Sequence, residues 1–119
     1  MKKQLAGAFG EARAAEYLRK NKYKIVALNY SCRYGEIDII AMRKKVLCFV
    51  EVKLRKTGSF ARPMEHVTAL KQQKIKTTAQ IFIQEFDKDC DFRFDVIEVF
   101  APQGIETRQV EINHIENAF

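Results

Sequence analysis

The sequence has no tryptophan, only two prolines and two histidines, and three cysteines at Cys32, Cys48 and Cys90. Three widely spaced cysteines with no C-x-x-C pair, beside two histidines, argue against structural zinc. They read as reduced thiols in a cytosolic protein, with Cys48 in the core. No apolar run nears the roughly 20 residues needed to span a bilayer. The basic start, Met1-Lys2-Lys3-Gln4-Leu5, leads into Gly, Ala and Glu instead of an apolar signal core. A cytoplasmic protein without a membrane partner is therefore expected. At 119 residues the chain is too short for a TIM barrel or a two-domain dinucleotide enzyme, and reads as one domain over 1–119.

What is present is an ordinary globular composition, 47% hydrophobic and 30% charged. Nine Phe and four Tyr supply apolar surface to offset the entropy of ordering. The net charge of +6 is unevenly spread. Residues 1–76 carry 18 Lys/Arg against 6 Asp/Glu, and residues 77–119 carry 3 against 9. A cationic majority with an acidic tail leaves two readings open, a polyanion partner such as nucleic acid or a merely soluble basic surface.

Residues 3–20 read as a helix, with Leu5, Ala8, Phe9, Ala12 and Ala15 at helical spacing. Glu11 falls at the edge of that stripe, where a carboxylate needs a cation, a helix end or a metal. Residues 24–31, 35–42 and 46–53 are rich in β-branched and aromatic residues and read as three strands. Gly58, Ser59 and Pro63 mark 54–66 as a loop. Residues 67–86 read as a second helix on Ile75, Ala79, Phe82, Ile83 and Phe86. Residues 92–100 read as a fourth strand, and 106–113 as an edge strand beyond Pro102 and Gly104. The order α-β-β-β-α-β, with an added edge strand, predicts an α/β layer with a mixed sheet.

Strands two and three are apolar except for Glu36, Asp38, Glu51 and Lys53. Alternation puts Glu36 with Asp38 on one face, and Glu51 with Lys53 on one face. A two-residue hairpin at Lys44-Lys45 pairs Arg43 with Val46, which sets Asp38 opposite Glu51 and Glu36 opposite Lys53. A one-residue slip would separate the carboxylates. Opposed carboxylates repel, and a divalent cation between them reverses the sign; oxygen ligands select Mg2+ or Mn2+. With an ammonium two residues along, such a site suits phosphodiester hydrolysis. The other reading is a buried Glu51–Lys53 or Glu36–Lys53 salt-bridge cluster.

Asp38 followed by Glu51-Val52-Lys53 on the next strand resembles the (D/E)xK nuclease signature, and the element order resembles the restriction-endonuclease-like fold. Four segments narrow the match. They are Gly10-Glu11 with Ala15 and Tyr17-Leu18, Gly35-Glu36-Ile37-Asp38-Ile39-Ile40-Ala41, Phe49-Val50-Glu51-Val52-Lys53-Leu54-Arg55, and Arg93-Phe94-Asp95-Val96-Ile97. Together they resemble the small bacterial YraN family, itself similar to archaeal Holliday-junction resolvases. The resemblance implies a metal-dependent endonuclease acting on DNA, with branched or single-stranded substrates in view. Asp38 and Glu51 would be metal ligands with the Val52 carbonyl, Lys53 the catalytic lysine, and Glu11 the first-helix glutamate of resolvase-type members. Two positions depart from the pattern: Ile37 precedes Asp38 where proline is common, and Leu54 follows the lysine where a small polar residue is usual. Arg55, Lys56, Arg62, Lys71 and Lys74 are the expected phosphate contacts. Glu36, Arg93 and Asp95 are expected to support the site, with Glu36 as a partner for Lys53 and Asp95 as a partner for Arg93 or Lys53. His66 and His114 look isolated. Cutting two strands needs two sites, so a homodimer is expected.

Overall fold

The computed structural model describes residues 2–56 and 67–119, and the side chains from Leu5 onward within them. Its elements are α1 (Lys2–Lys20), β1 (Lys24–Cys32), β2 (Gly35–Arg43), β3 (Val46–Arg55), α2 (Ala69–Glu85), β4 (Asp91–Phe100) and β5 (Glu111–Ile115). The strands form one sheet in the order β1-β2-β3-β4-β5. Neighbours run antiparallel except β3 and β4, which are parallel. Helix α2 is the crossover between those two, the kind of connection a parallel pair requires. The architecture is mixed α/β, as expected, with one helix packed on each sheet face.

Helix α1 covers the face built by Ile39, Ala41, Cys48, Val50, Ile97 and Val99. The expected stripe through Leu5, Ala8 and Ala12 is not the buried one: all three are exposed, and Gly10, Ala14, Ala15 and Leu18 face the sheet. The helix rests on its smallest residues, which lets its backbone come close; a Cβ on Gly10 would stand 3.6 Å from Leu54 and Val52. Glu11 adjoins this seam. Helix α2 covers the opposite face through Ile75 and Ala79, against Ile37, Ile40, Leu47, Phe49 and Val96. Thr68 caps it, accepting a hydrogen bond from the Lys71 amide. Phe49 stacks on Phe94 and meets the edge of the Phe82 ring.

The last strand begins at Glu111, five residues later than expected. A 3₁₀ turn at Gly104–Glu106 takes up the intervening chain, and Thr107 closes it by accepting from the Gln103 amide. The expected loop starts late as well, because β3 runs on to Arg55; residues 57–66, including Gly58, Ser59, Pro63, Arg62 and His66, lie outside the described residues.

His114 is not isolated. It belongs to a network on the α1 face that centres on Asp95, which has no solvent exposure. Arg93 donates to Asp95 through Nε and an Nη at 2.9 Å each, and its Nη also donates to the Tyr23 hydroxyl at 2.7 Å. His114 Nε2 lies 2.7 Å from Asp95, and its Nδ1 lies 3.0 Å from the Tyr17 hydroxyl. An ionised Asp95 accepts, so Nε2 carries the proton and Nδ1 of a neutral ring accepts from Tyr17. The Asn117 amide adds a third donor. The network joins α1, β4 and β5. Asp95 is thus a partner of Arg93, as one of the two expectations had it, and not of Lys53.

Burial pushes the Asp95 carboxyl up, but the bonds from His114 and Arg93 outweigh it and hold it below the usual carboxylate range. A carboxyl depressed in the folded state contributes stability that is present at neutral pH and lost as pH falls through its lowered value. Asp95→Asn should therefore cost about 1.5–3 kcal/mol at pH 7, because among the described ion pairs it leaves the Arg93 charge with only the more distant Glu116 carboxylate at 3.7 Å. The variant should also lose less stability than the wild type between pH 5 and pH 2. Urea melts across that range check both.

Candidate functional site

The β2–β3 hairpin has the expected register, Arg43 on Val46 through Ile39 on Val50, with Lys44 in the left-handed region at φ 57°. The ladder stops there. At the next position the Asp38 side chain, not a main-chain carbonyl, accepts from the Val52 amide at 2.8 Å. The β1–β2 ladder is interrupted at the same residue: Leu28 pairs with Ile39 and Tyr30 with Ile37, while Asn29, opposite Asp38, sits at φ 52°. Asp38 is therefore released from pairing on both sides. Ile37 and Ile39, two residues apart, pack into opposite faces, so the pleat turns over at Asp38. This corrects the expectation that Glu36 and Asp38 share a face by simple alternation.

The gap collects carboxyl groups. Asp38 lies against Glu51, carboxyl to carboxyl. Burial, then the Glu51 charge, pushes Asp38 up to about 7. Glu11 from α1 faces the same place, near Glu36 and Glu51, and its carboxyl is raised by burial. The Asn29 side-chain amide lies beside Glu11 and partly offsets that rise. Glu51 is 6% exposed, and two ammonium groups approach its Oε2: Lys53 at 3.5 Å and Lys71 from the first turn of α2. Burial and the neighbouring Lys71 lower the Lys53 ammonium. Burial opposes the charge on Lys71 too, but its bond to Glu51 prevails and raises it.

The structure brings together Asp38, Glu51, Val52 and Lys53, with Glu11 close by. It separates Glu36 from Lys53. Among the described ion pairs Lys53 meets Glu51, and Glu36 lies exposed along a groove of about 390 Å³ with Gly35, Thr68, Lys71 and Lys74. Gly35 is needed at that wall. Its φ is 155°, and a Cβ would come within 3.2 Å of Thr78 Oγ1. Of the basic residues, Arg55 lies 3.7 Å from Glu98, Lys56 is exposed and Lys74 lines the groove. Lys71, expected only as a phosphate contact, reaches the carboxyl pair itself. Its sequence signal was faint, a lysine at the start of a helix. Asn29 carried no signal beyond an asparagine within a strand.

The donor set is all oxygen and includes two neighbouring carboxyl groups that repel when both are charged. Val52 directs its amide toward Asp38, and its carbonyl points the same way along an extended strand. These groups fit one hard divalent cation that retains several waters. Among the described residues no group of three His, Cys, Asp or Glu side chains is placed to hold a metal by itself. None of their helices is long and apolar enough to cross a membrane.

A mixed α/β sheet with an acidic pair and two lysines where its central ladder opens defines the class. The chain belongs to the family described as "Uncharacterised protein family UPF0102", whose model matches residues 10–99. It is 41% identical to a UPF0102 protein of Caldicellulosiruptor saccharolyticus over the whole of both chains. It is 45% identical to another from Caldanaerobacter subterraneus subsp. tengcongensis, over 98% of this chain and 96% of that one. A Chlorobium chlorochromatii relative is 43% identical over 95% of this chain and 89% of its own. This is the family that the sequence motifs resemble under the name YraN.

A carboxyl raised by folding gives stability that is full at low pH and declines as pH rises through its folded value. For Asp38, normally near 3.8, that window runs from about pH 4 to just above 7. The metal-free wild type should therefore lose stability up to roughly 2–4 kcal/mol over that window. Asp38→Asn should flatten the decline and raise Tm at pH 8. Thermal melts in EDTA at pH 5 and pH 8 compare the two.

Proposed function

We propose that this chain is a divalent-cation-dependent nuclease acting on DNA, built on a restriction-endonuclease-like core. The observation that carries the reading is the contact of Asp38 with Glu51 where the β2–β3 ladder opens, with Lys53 beside it. Lys53 and Lys71 both pair with Glu51, while the Val52 amide is the donor on Asp38; a carboxyl held against Glu51 with no ammonium of its own among the described ion pairs adds repulsion that a proton or a cation relieves. The α-β-β-β-α-β order and the Glu51-Val52-Lys53 spacing support the same reading.

In this proposal Asp38, Glu51 and the Val52 carbonyl hold Mg2+ or Mn2+, which supplies Lewis-acid polarisation of a phosphate and a water of lowered pKa. Lys53 presents its ammonium where charge develops on the phosphate oxygens, and its position on a strand next to Glu51 fixes that direction. Glu11 adds negative field from the other side of the gap. Lys71 and Lys74, along the groove, with Arg55 and Lys56 at the end of β3, meet the DNA backbone. Branched or single-stranded DNA suits a short groove of this size, and paired cuts on two strands call for a homodimer.

One observation favours a second reading, a nucleic-acid-binding module without catalysis: Lys53 and Lys71 together already neutralise Glu51. A cleavage screen of duplex, single-stranded, flap and four-way-junction DNA with Mg2+ and Mn2+ separates the two. Cutting of any substrate by the wild type supports the nuclease. No cutting, with metal-independent and salt-sensitive binding, supports the module.

Lys53→Ala should lower cleavage by roughly 10²- to 10³-fold and leave DNA affinity nearly intact. It should fold normally, because Lys71 remains on Glu51. Removing both lysines should instead cost about 3–5 kcal/mol, since Glu51 then stays buried without a cation. Chemical denaturation of the single and double variants tests this difference.

A further inference from the structure

We propose that Asn29 is a positioning residue for the carboxyl cluster, through its left-handed backbone and through its side-chain amide. The inference rests on reading Asp38, Glu51 and Glu11 as one site.

Three observations converge on Asn29. It lies within β1 yet has φ 52°, a conformation that costs most side chains about 1 kcal/mol and that asparagine tolerates. It occupies the one position that the β1–β2 ladder skips between Leu28 and Tyr30, directly opposite Asp38. Its side chain lies beside Glu11 from α1, where its amide opposes the rise of that carboxyl, although Asn29 itself is exposed. An extended residue at 29 would offer its main chain to β2 and pair Asp38 into the ladder. The left-handed turn withdraws that main chain, and Asp38 is left to use its carboxyl on the Val52 amide. The same turn places the amide of Asn29 against Glu11, so one residue shapes two of the three carboxyl positions. Nothing in packing demands asparagine there, since the side chain adds no buried apolar surface. A strand residue that breaks its own ladder at an acidic site, and then sets its amide beside a second acid, is spent on geometry.

The test uses Asn29→Gly, Asn29→Ala, Glu11→Ala and the double Glu11→Ala with Asn29→Gly in the full chain. Glycine accepts φ 52° and deletes the amide; alanine deletes the amide and strains the backbone. Melting should place Asn29→Gly at the wild-type Tm and Asn29→Ala below it. An Asn29→Ala protein as stable as Asn29→Gly would overturn the backbone half of the proposal. Mn2+ titration by calorimetry should show about tenfold weaker binding in Asn29→Gly. The double variant should bind no more weakly than Glu11→Ala alone. Wild-type Mn2+ affinity in Asn29→Gly, or losses that multiply in the double variant, would overturn the side-chain half.

If the wild type binds no Mn2+, the reading of the carboxyl pair as a cation site fails, and a second measurement decides Asn29 independently. The side-chain amide signals of Asn29 in the NMR spectrum of the metal-free protein should shift on Glu11→Ala. That shift upholds the contact and the positioning of Glu11; unchanged signals overturn it.

Discussion

Two carboxyl groups held side by side set the terms for everything around them. Asp38 and Glu51 meet because β2 and β3 share a hairpin register that sets them opposite each other, and because the ladder ends one residue before them, which frees the Asp38 carboxyl to take the Val52 amide. Their repulsion must be answered locally. The raised carboxyl of Asp38, the two lysines on Glu51 and the Val52 amide on Asp38 are the answers the chain itself supplies. Each comes from a different place: the next strand residues, the first turn of α2 and the main chain. The site is therefore assembled mainly from the α2 side of the sheet, and α1 contributes Glu11 and the Gly10 contact with Val52.

The opposite face does a different task. Asp95 lies beside Val50 in the β3–β4 register, one residue from Glu51 but on the α1 side. Its bonds to Arg93, His114 and Asn117 clamp β4, β5 and the chain end together. A sheet stiffened on one face holds the strand that presents Glu51 and Lys53 on the other. The unpaired stretch at Asp38 can then exist without the sheet coming apart, since β3 keeps its full parallel pairing with β4 from Val46 to Arg55.

Much of this was legible in the sequence, and the rest was hidden for identifiable reasons. The β2–β3 register followed from a two-residue hairpin assumed at Lys44-Lys45, which is no turn signal in itself, and from the need of separated carboxylates for partners of their own; the structure has that register. The face of α1 was partly misread: the expected stripe meets the sheet at Ala15, but Leu5, Ala8 and Ala12 are exposed and the rest of the contact is made through Gly10, Ala14 and Leu18, a shift round the helix that alanine spacing alone does not reveal. The pairing of Glu36 with Lys53 followed from unbroken alternation, and failed because the pleat turns over at Asp38. That turn has its cause in a neighbouring strand, at Asn29, where no pattern within β2 could show it. The Asp95 network joins residues 17, 23, 93 and 114, a spacing that no local motif spans. Lys71 was read for its charge, but its reach to Glu51 depends on where Thr68 starts the helix.

The three thiols end up in three chemically distinct settings. Cys48 lies with no exposure between Tyr23 and the Arg93–Asp95 pair, and burial pushes its thiol up to about 12. Cys32, where β1 ends, accepts a bond from the Tyr34 amide that draws its thiol below the ordinary value. Cys90 is partly exposed, and slight burial and two flanking aspartates raise its thiol. A thiol-reactive probe should consequently meet a fast, a slow and a silent cysteine in the folded chain. The silent one reports the opening of the sheet itself, so the protein carries its own clock for global unfolding.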